Sequence, residues 1–223
     1  MEETPDALFD ETAYYSGTRR SFPALLAALE AGAAPSGRAL DVGCAFGHLG
    51  ERLLALGYDE VWGVEPVATA AEAAATRLTR VIHGRFTDPA VDAGAPYDLI
   101  VFADSLEHMA DPWDALRRAR SLLSPTGQLL VSVPNVSHFS VIAQQLKGRW
   151  TYSAQGLLDR THLRFFTPAT IRDAVVGAGF ACVAERDTLR EPGGRLAWTT
   201  AALRRFVPHT LVFQHVVLAR PLP

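Results

Sequence analysis

Cysteine is scarce: 223 residues hold two, Cys44 and Cys182, and neither belongs to a C-x-x-C pair. That excludes a disulfide framework, and no His/Cys group has zinc-finger spacing. Long basic runs are missing too, and the formal net charge is −3. The electrostatic footprint of unspecific nucleic-acid binding is absent, which argues against a nucleic-acid partner. No apolar run approaches the roughly 18 residues of a membrane span, so no membrane partner is expected. The start of the chain carries Glu2, Glu3, Asp6 and Asp10, unlike the positively charged start of a signal peptide. With reduced thiols, the expected setting is the cytoplasm. Neither internal repeats nor a low-complexity linker divides the chain.

What is present is an ordinary globular composition, 48% hydrophobic and 20% charged, on a chain long enough to bury a core without staples. Apolar strands alternate with amphipathic helices almost from end to end, the pattern of a mostly parallel sheet covered on both faces. Seven strands are predicted, at Arg38–Val42, Glu60–Val64, Val81–His83, Tyr97–Phe102, Gln128–Val133, Phe180–Asp187 and Thr210–Ala219. Helices are predicted at His48–Leu56, Ala68–Leu78, Pro112–Leu123, Ser140–Leu146, Pro168–Ala178 and Leu196–Phe206, with turns at Ser124–Gly127 and Glu191–Gly194. Asp111 and Thr167 stand at N-cap positions, each followed by proline at the first helical position. Phe22, Leu25, Leu26 and Leu29 form a helical apolar stripe of the kind that is usually core.

The most informative segment runs Ala39-Leu40-Asp41-Val42-Gly43-Cys44-Ala45-Phe46-Gly47. A buried strand enters a tight turn and a helix follows. Small residues there let the backbone approach a ligand closely, and the helix start leaves amide donors free. Asp41 can accept a bond from an ammonium group or orient the turn. The spacing is D-x-G-x-x-x-G, whereas a pyrophosphate binder wants G-x-G-x-x-G so that phosphates sit on the helix. The plainer alternative is a tight turn with no ligand. The second strand, ending in Gly63-Val64-Glu65, weighs against that alternative. A carboxylate there is placed to bind both hydroxyls of an adenosyl ribose, as an acid does about 20 residues past the glycine turn in NAD-binding folds.

With these stretches go Asp104-Ser105-Leu106-Glu107-His108-Met109-Ala110-Asp111-Pro112-Trp113, Leu122-Leu123-Ser124-Pro125-Thr126-Gly127, Ser132-Val133-Pro134-Asn135 and Leu157-Leu158-Asp159-Arg160-Thr161-His162-Leu163-Arg164-Phe165-Phe166-Thr167. On them the chain, from Tyr14 to Ala219, resembles the class I S-adenosylmethionine-dependent methyltransferases, in particular a bacterial small-molecule subgroup. More distantly it is similar to the ubiquinone-type O-methyltransferases. The resemblance implies a Rossmann-like α/β fold with sheet order 3-2-1-4-5-7-6, the last strand antiparallel, and S-adenosylmethionine as cofactor. It also implies that Asp41, Gly43, Cys44, Ala45 and Gly47 form the methionine-side turn. Glu65, with Pro66 after it, becomes the ribose side, and Asp104 and Ser105 the wall beside the methionine moiety. Residues 1–34 are expected to form a helical extension folding over the cofactor, with Tyr15 and Arg19 (or Arg20) reaching it. Residues 35–223 are expected to form the methyltransferase domain, with a substrate lid at 134–166. There are departures. Ala45 replaces the usual central glycine, and Phe46, beside the cofactor, replaces a small polar residue. After the third strand Arg85 and Phe86 stand where an acid usually binds adenine. Phe86 is a candidate to stack on the base, and Asp88 a candidate acceptor.

Methyl transfer to a hydroxyl requires alignment and removal of a proton. Asp104, Glu107 and His108 share the i, i+3, i+4 spacing of one helical turn. His108 is the first candidate base, with Glu107 orienting it, and His162 the second. The same spacing suits Mg²⁺ or Zn²⁺, but no fourth ligand is identifiable and no metal is assigned. A purely structural role for Glu107 and His108 competes with both. Within the lid, His138, Trp150, Arg160 and Arg164 are candidate substrate contacts, the arginines for an anionic group; an Asp159–Arg salt bridge pinning the lid is the alternative. The function expected is methyl transfer to an oxygen of a sugar, natural product or similar metabolite. N- or C-methylation, a non-catalytic cofactor-binding module and a nicotinamide dehydrogenase are the competitors, the last disfavoured by the glycine spacing.

Overall fold

The computed structural model describes residues 22–190 and 200–223, with 201 and 202 described by backbone alone. Tyr15, Arg19, Arg20 and the turn predicted at Glu191–Gly194 lie outside the described residues. In chain order the elements are α1 (Phe22–Leu29), β1 (Arg38–Val42), α2 (His48–Leu56), β2 (Glu60–Glu65), α3 (Ala68–Ala74), β3 (Arg80–His83) and β4 (Tyr97–Ala103). There follow α4 (Pro112–Leu122), β5 (Leu123–Pro134), α5 (Phe139–Gln145), α6 (Pro168–Gly177), β6 (Phe180–Leu189), α7 (Thr200–Phe206) and β7 (Val212–Pro221). The seven strands form one sheet in the order β3-β2-β1-β4-β5-β7-β6. β1 to β5 are parallel, and β7 runs antiparallel to both β5 and β6. No helix among the described residues is long and apolar enough to cross a membrane.

Two apolar layers sandwich the sheet, and strand alternation divides the side chains between them. In β4, Leu99 and Val101 join Leu25, Leu49, Leu53 and Ala74 of α1, α2 and α3 on one face. Ile100 and Phe102 join Leu116, Ile171 and Val175 of α4 and α6 on the other. The apolar stripe before β1 is therefore core: Leu25, Ala28 and Leu29 are buried.

Local chemistry sets the element ends. Asp111 Oδ1 accepts the Asp114 amide at 2.9 Å and caps α4. Thr167 and Thr170 form a reciprocal capping box at α6. α3 stops at Ala74, short of the predicted Leu78. Thr76 lies in the stretch where the helix was expected to continue, and its hydroxyl turns back onto the Ala73 carbonyl at 2.7 Å, the local competition by which threonine weakens a helix. The predicted turn at Ser124–Gly127 is a looped-out stretch inside β5, marked by the register jump from Tyr97↔Leu123 to Leu99↔Gln128. The chain leaves β1 toward β2 and β3, then returns to pair β4 against β1. In open α/β sheets ligands bind at such a reversal, outside the carboxyl ends of the strands, here β1 and β4.

Candidate active site

At the carboxyl end of β1 the backbone is left-handed at Gly43 (φ 76), Ala45 (φ 48) and Gly47 (φ 83). The Gly43 and Cys44 amides both donate to the Val64 carbonyl, at 2.8 and 3.2 Å, and tie the turn to β2. A Cβ on Gly43 would stand 3.0 Å from the Ser105 Cβ, so the loop after β4 presses on this turn. Ala45 holds a conformation that costs an L-residue about 1–2 kcal/mol. Its amide donates to Glu65 Oε2 at 2.9 Å, which fixes it there. Phe46 is buried with Ala45 and Ala70 against α3.

Glu65 is 6% exposed. Its Oε1 accepts the Val67 amide at 2.9 Å, so two backbone donors fix the carboxylate and leave a lone pair on each oxygen. Burial raises its pKa, against the two amides and His83. Asp41 is buried beneath the turn. Burial first, and the Glu65 charge second, push it up to about 7, with the Gly50 amide opposing. Asp41 Oδ2 and Ser105 Oγ are buried without a partner. The turn thus gathers acceptors in excess of donors. That fits a ligand bringing an ammonium group and sugar hydroxyls, as S-adenosylmethionine does.

On the adenine side the expectations change. Phe86 is buried edge-to-face against Phe102, ring centroids 5.3 Å apart, with the Arg118 guanidinium over its ring; it is a core side chain, not a free stacking face. Asp88 Oδ1 accepts the Ala90 amide at 2.8 Å and caps the short 3-10 helix Pro89–Gly94. Arg85 is exposed. The Pro66 carbonyl accepts from His83 Nε2 at 3.2 Å. Cys44 is buried against Gly63, where any Cβ would come within 2.5 Å of its sulfur.

Beyond β4, Asp104 is also left-handed (φ 53). Its two carboxylate oxygens accept Ser132 Oγ at 2.7 Å and Gln214 Nε2 at 2.8 Å. A 3-10 turn, Leu106–His108, follows. Glu107 is 1% exposed; burial, then the Asp104 charge, raise its pKa well above the carboxylate range, and Oε2 has no partner. The excursion 134–166 is sewn onto this turn. The Leu163 and Arg164 amides donate to the Glu107 carbonyl at 2.8 and 3.0 Å, and Arg164 Nη2 donates to the Ala110 carbonyl at 2.5 Å. Asp159 Oδ1 accepts the Thr161 amide and hydroxyl, at 2.8 and 2.7 Å, so the excursion is pinned by Arg164 on a carbonyl and not by an Asp159–Arg pair.

This stitching fixes both candidate bases. His108 Nδ1 lies 3.2 Å from the Thr161 carbonyl and His162 Nδ1 3.3 Å from the Leu157 carbonyl. A carbonyl can only accept, so each ring holds its proton on Nδ1 and keeps an Nε2 lone pair. The rings stand 4.9 Å apart, and His162 Nε2 is 4.0 Å from Glu107 Oε1. Burial lowers both pKa values, that of His162 to about 4 with help from His108. One ligand atom from each of Glu107, His108 and His162 falls within 4.8 Å of the others. His162, not Asp104, completes this trio.

The remaining lid candidates separate. His138 is buried, its Nδ1 2.8 Å from Ser140 Oγ and its Nε2 3.0 Å from the Arg190 carbonyl. With both nitrogens engaged at the start of α5 it is a structural cap, not a substrate contact. Trp150 meets Phe165 edge-to-face at 5.1 Å, and Phe165 in turn meets His162. Arg160 is exposed. Sequence reasoning missed Ser132 and Gln214, which position Asp104, and the Thr161 and Leu157 carbonyls, which set the tautomers. A glutamine within the apolar run of β7 was the one available signal.

A family described as a methyltransferase domain matches residues 14–185. The chain is 32% identical over 152 residues to a ubiquinone biosynthesis O-methyltransferase of Azorhizobium caulinodans, covering 64% of this chain and 58% of that protein. It therefore spans about three fifths of the length of the curated relatives it matches. Among solved structures, an S-adenosylmethionine-dependent methyltransferase from Mesorhizobium loti superposes with a TM-score of 0.59 at 20% identity, over 92% of this chain and 100% of the other. The 1,6-didemethyltoxoflavin-N1-methyltransferase of Burkholderia thailandensis, solved with its namesake compound and S-adenosylhomocysteine bound, gives 0.59 at 19% identity, over 92% and 78%. These likenesses share the fold described above. The match over residues 14–185 covers most of the chain, which belongs to the methyltransferase-domain family.

Proposed function

We propose that this chain transfers the methyl group of S-adenosylmethionine to an oxygen of a small-molecule acceptor. The cofactor, when bound, supplies a methyl on a sulfonium leaving group. Asp41 and the Gly43–Gly47 turn would hold its amino-acid end, and Glu65 its ribose. The observation carrying the proposal is the contact of that turn with Ser105, next to the turn that bears Glu107 and His108. On this reading the two Nε2 lone pairs serve an acceptor bound beside the cofactor cradle. There His108 or His162 takes the acceptor's hydroxyl proton, and the lid excludes water. Similarity to a relative named as an O-methyltransferase supports oxygen over nitrogen or carbon. The test is turnover with isotope-labelled S-adenosylmethionine in cell extract. Of His108→Ala and His162→Ala, the variant that removes the base should lower kcat about 10²–10⁴-fold while cofactor affinity holds. Unchanged turnover in both variants would remove the base assignment, and cofactor binding without any transfer would favour a non-catalytic module.

A second reading is supported by the same trio. Two imidazole nitrogens oriented by carbonyls, beside a carboxylate, suit a divalent cation. Such an ion, when bound, would acidify the acceptor hydroxyl. Activity lost to a chelator and restored by Mg²⁺ or Zn²⁺ selects this reading; activity indifferent to chelation selects the histidine base.

A further inference from the structure

The lid has a small core of its own, Val141, Leu157 and Leu158 with Val136, Phe165 and Phe213 against them. Four large side chains of the same lid remain outside it: Leu146 is 84% exposed, Tyr152 54%, Leu163 53% and Trp150 37%. Trp150 meets Phe165 and so joins the loop 146–152 to the strip 163–165, the two parts of an exposed rim. Lys147 and Arg149 are exposed on it, and Arg160, whose amide donates to the Ser153 carbonyl, is exposed beside it; none of the three forms an ion pair within the described residues. Residues 134–166 contain four cations, with Arg164, against the single acid Asp159, a net +3 in a chain whose total is −3.

We propose that this rim rests on an anionic phospholipid surface. Its mixture of aliphatic tips, an indole, a phenol and long cationic side chains suits the boundary between headgroups and acyl chains. There the rings and Leu146 enter the apolar side while the ammonium and guanidinium groups meet lipid phosphates. A nucleic acid offers nothing to Leu146 and Leu163. A two-fold contact with a second copy would set the cations against their own images. The sequence led to no expected membrane partner because it has no spanning run, and no helix among the described residues is long and apolar enough to cross a bilayer; adsorption onto a surface requires neither. Adsorption is independent of the methyl-transfer reading, and the test needs no turnover.

The full chain is sedimented with vesicles of phosphatidylcholine alone and with vesicles of equimolar phosphatidylcholine and phosphatidylglycerol. It should pellet with the mixture, stay in the supernatant with phosphatidylcholine alone, and be released as salt rises. Removing both Lys147 and Arg149 (K147S/R149S) should lower the partition coefficient about 25-fold, at about fivefold for each cation near the surface. Leu146→Ser should lower it several-fold more. All three positions are exposed, and circular dichroism checks that the variants fold. No pelleting with either vesicle, equal pelleting with both, or undiminished pelleting of the variants overturns the proposal. So does a dimer in sedimentation velocity that Leu146→Ser dissolves, which would assign the rim to self-association.

Discussion

Replacing Asp41 by asparagine should make the ligand-free protein more stable above neutral pH and less stable in acid. The carboxyl is buried, and its pKa rises from 3.8 to about 7, chiefly by desolvation. The folded state therefore holds this proton more tightly than the unfolded chain. The resulting stability is fully present below about pH 4 and is lost as the pH climbs through 7. At about 1.4 kcal/mol for each pH unit of that window, the ceiling is about 4 kcal/mol. Asparagine escapes the charge but places an amide group where Oδ2 stood without a partner, a cost of about 1–3 kcal/mol if it finds no acceptor. Above pH 7 the variant should gain about 1–3 kcal/mol, and near pH 4 it should lose a similar amount. Urea denaturation of parent and variant across this range reads the difference and cancels contributions from the other buried acids and histidines. A difference that does not change with pH would refute the reasoning, since Asp41 would then titrate alike in both states. The same variant should bind S-adenosylhomocysteine more weakly, the exchange of stability for function common at binding sites.

Two further outcomes follow from the site. His138→Ala should lower stability by about 1–2 kcal/mol, because it uncaps α5 and removes the donor to the Arg190 carbonyl; cofactor affinity, read by calorimetry, should stay put. Gly43→Ala should weaken cofactor binding at least tenfold, since its Cβ would crowd Ser105 at 3.0 Å and the left-handed backbone would resist it.

Much of the fold was legible because it rests on local rules. The continuous apolar run of β4 and the caps at Asp111 and Thr167 each announce an element from a few neighbouring residues. The acids Asp41 and Glu65 were legible for the same reason, as they close strands beside a glycine turn. Phe86 and His138 were not. An aromatic or imidazole ring near a crevice reads alike in sequence whether it faces ligand or core, and only the packing of Phe102 and the Arg190 carbonyl decides. The tautomers of His108 and His162 depend on carbonyls, and backbone atoms leave no mark in a sequence. His162 lies 54 positions beyond His108, so their pairing is a product of how the excursion 134–166 folds and not of any spacing.

The central claim is that the crevice beside β1 grips a sulfonium nucleoside through Glu65 and the turn it holds. Calorimetric titration of the purified chain with S-adenosylhomocysteine tests this most directly, run in parallel on Glu65→Ala. Saturable heat from the parent, with affinity falling at least tenfold in the variant, is the predicted result. No heat from the folded parent, or equal affinity in the two proteins, would contradict it.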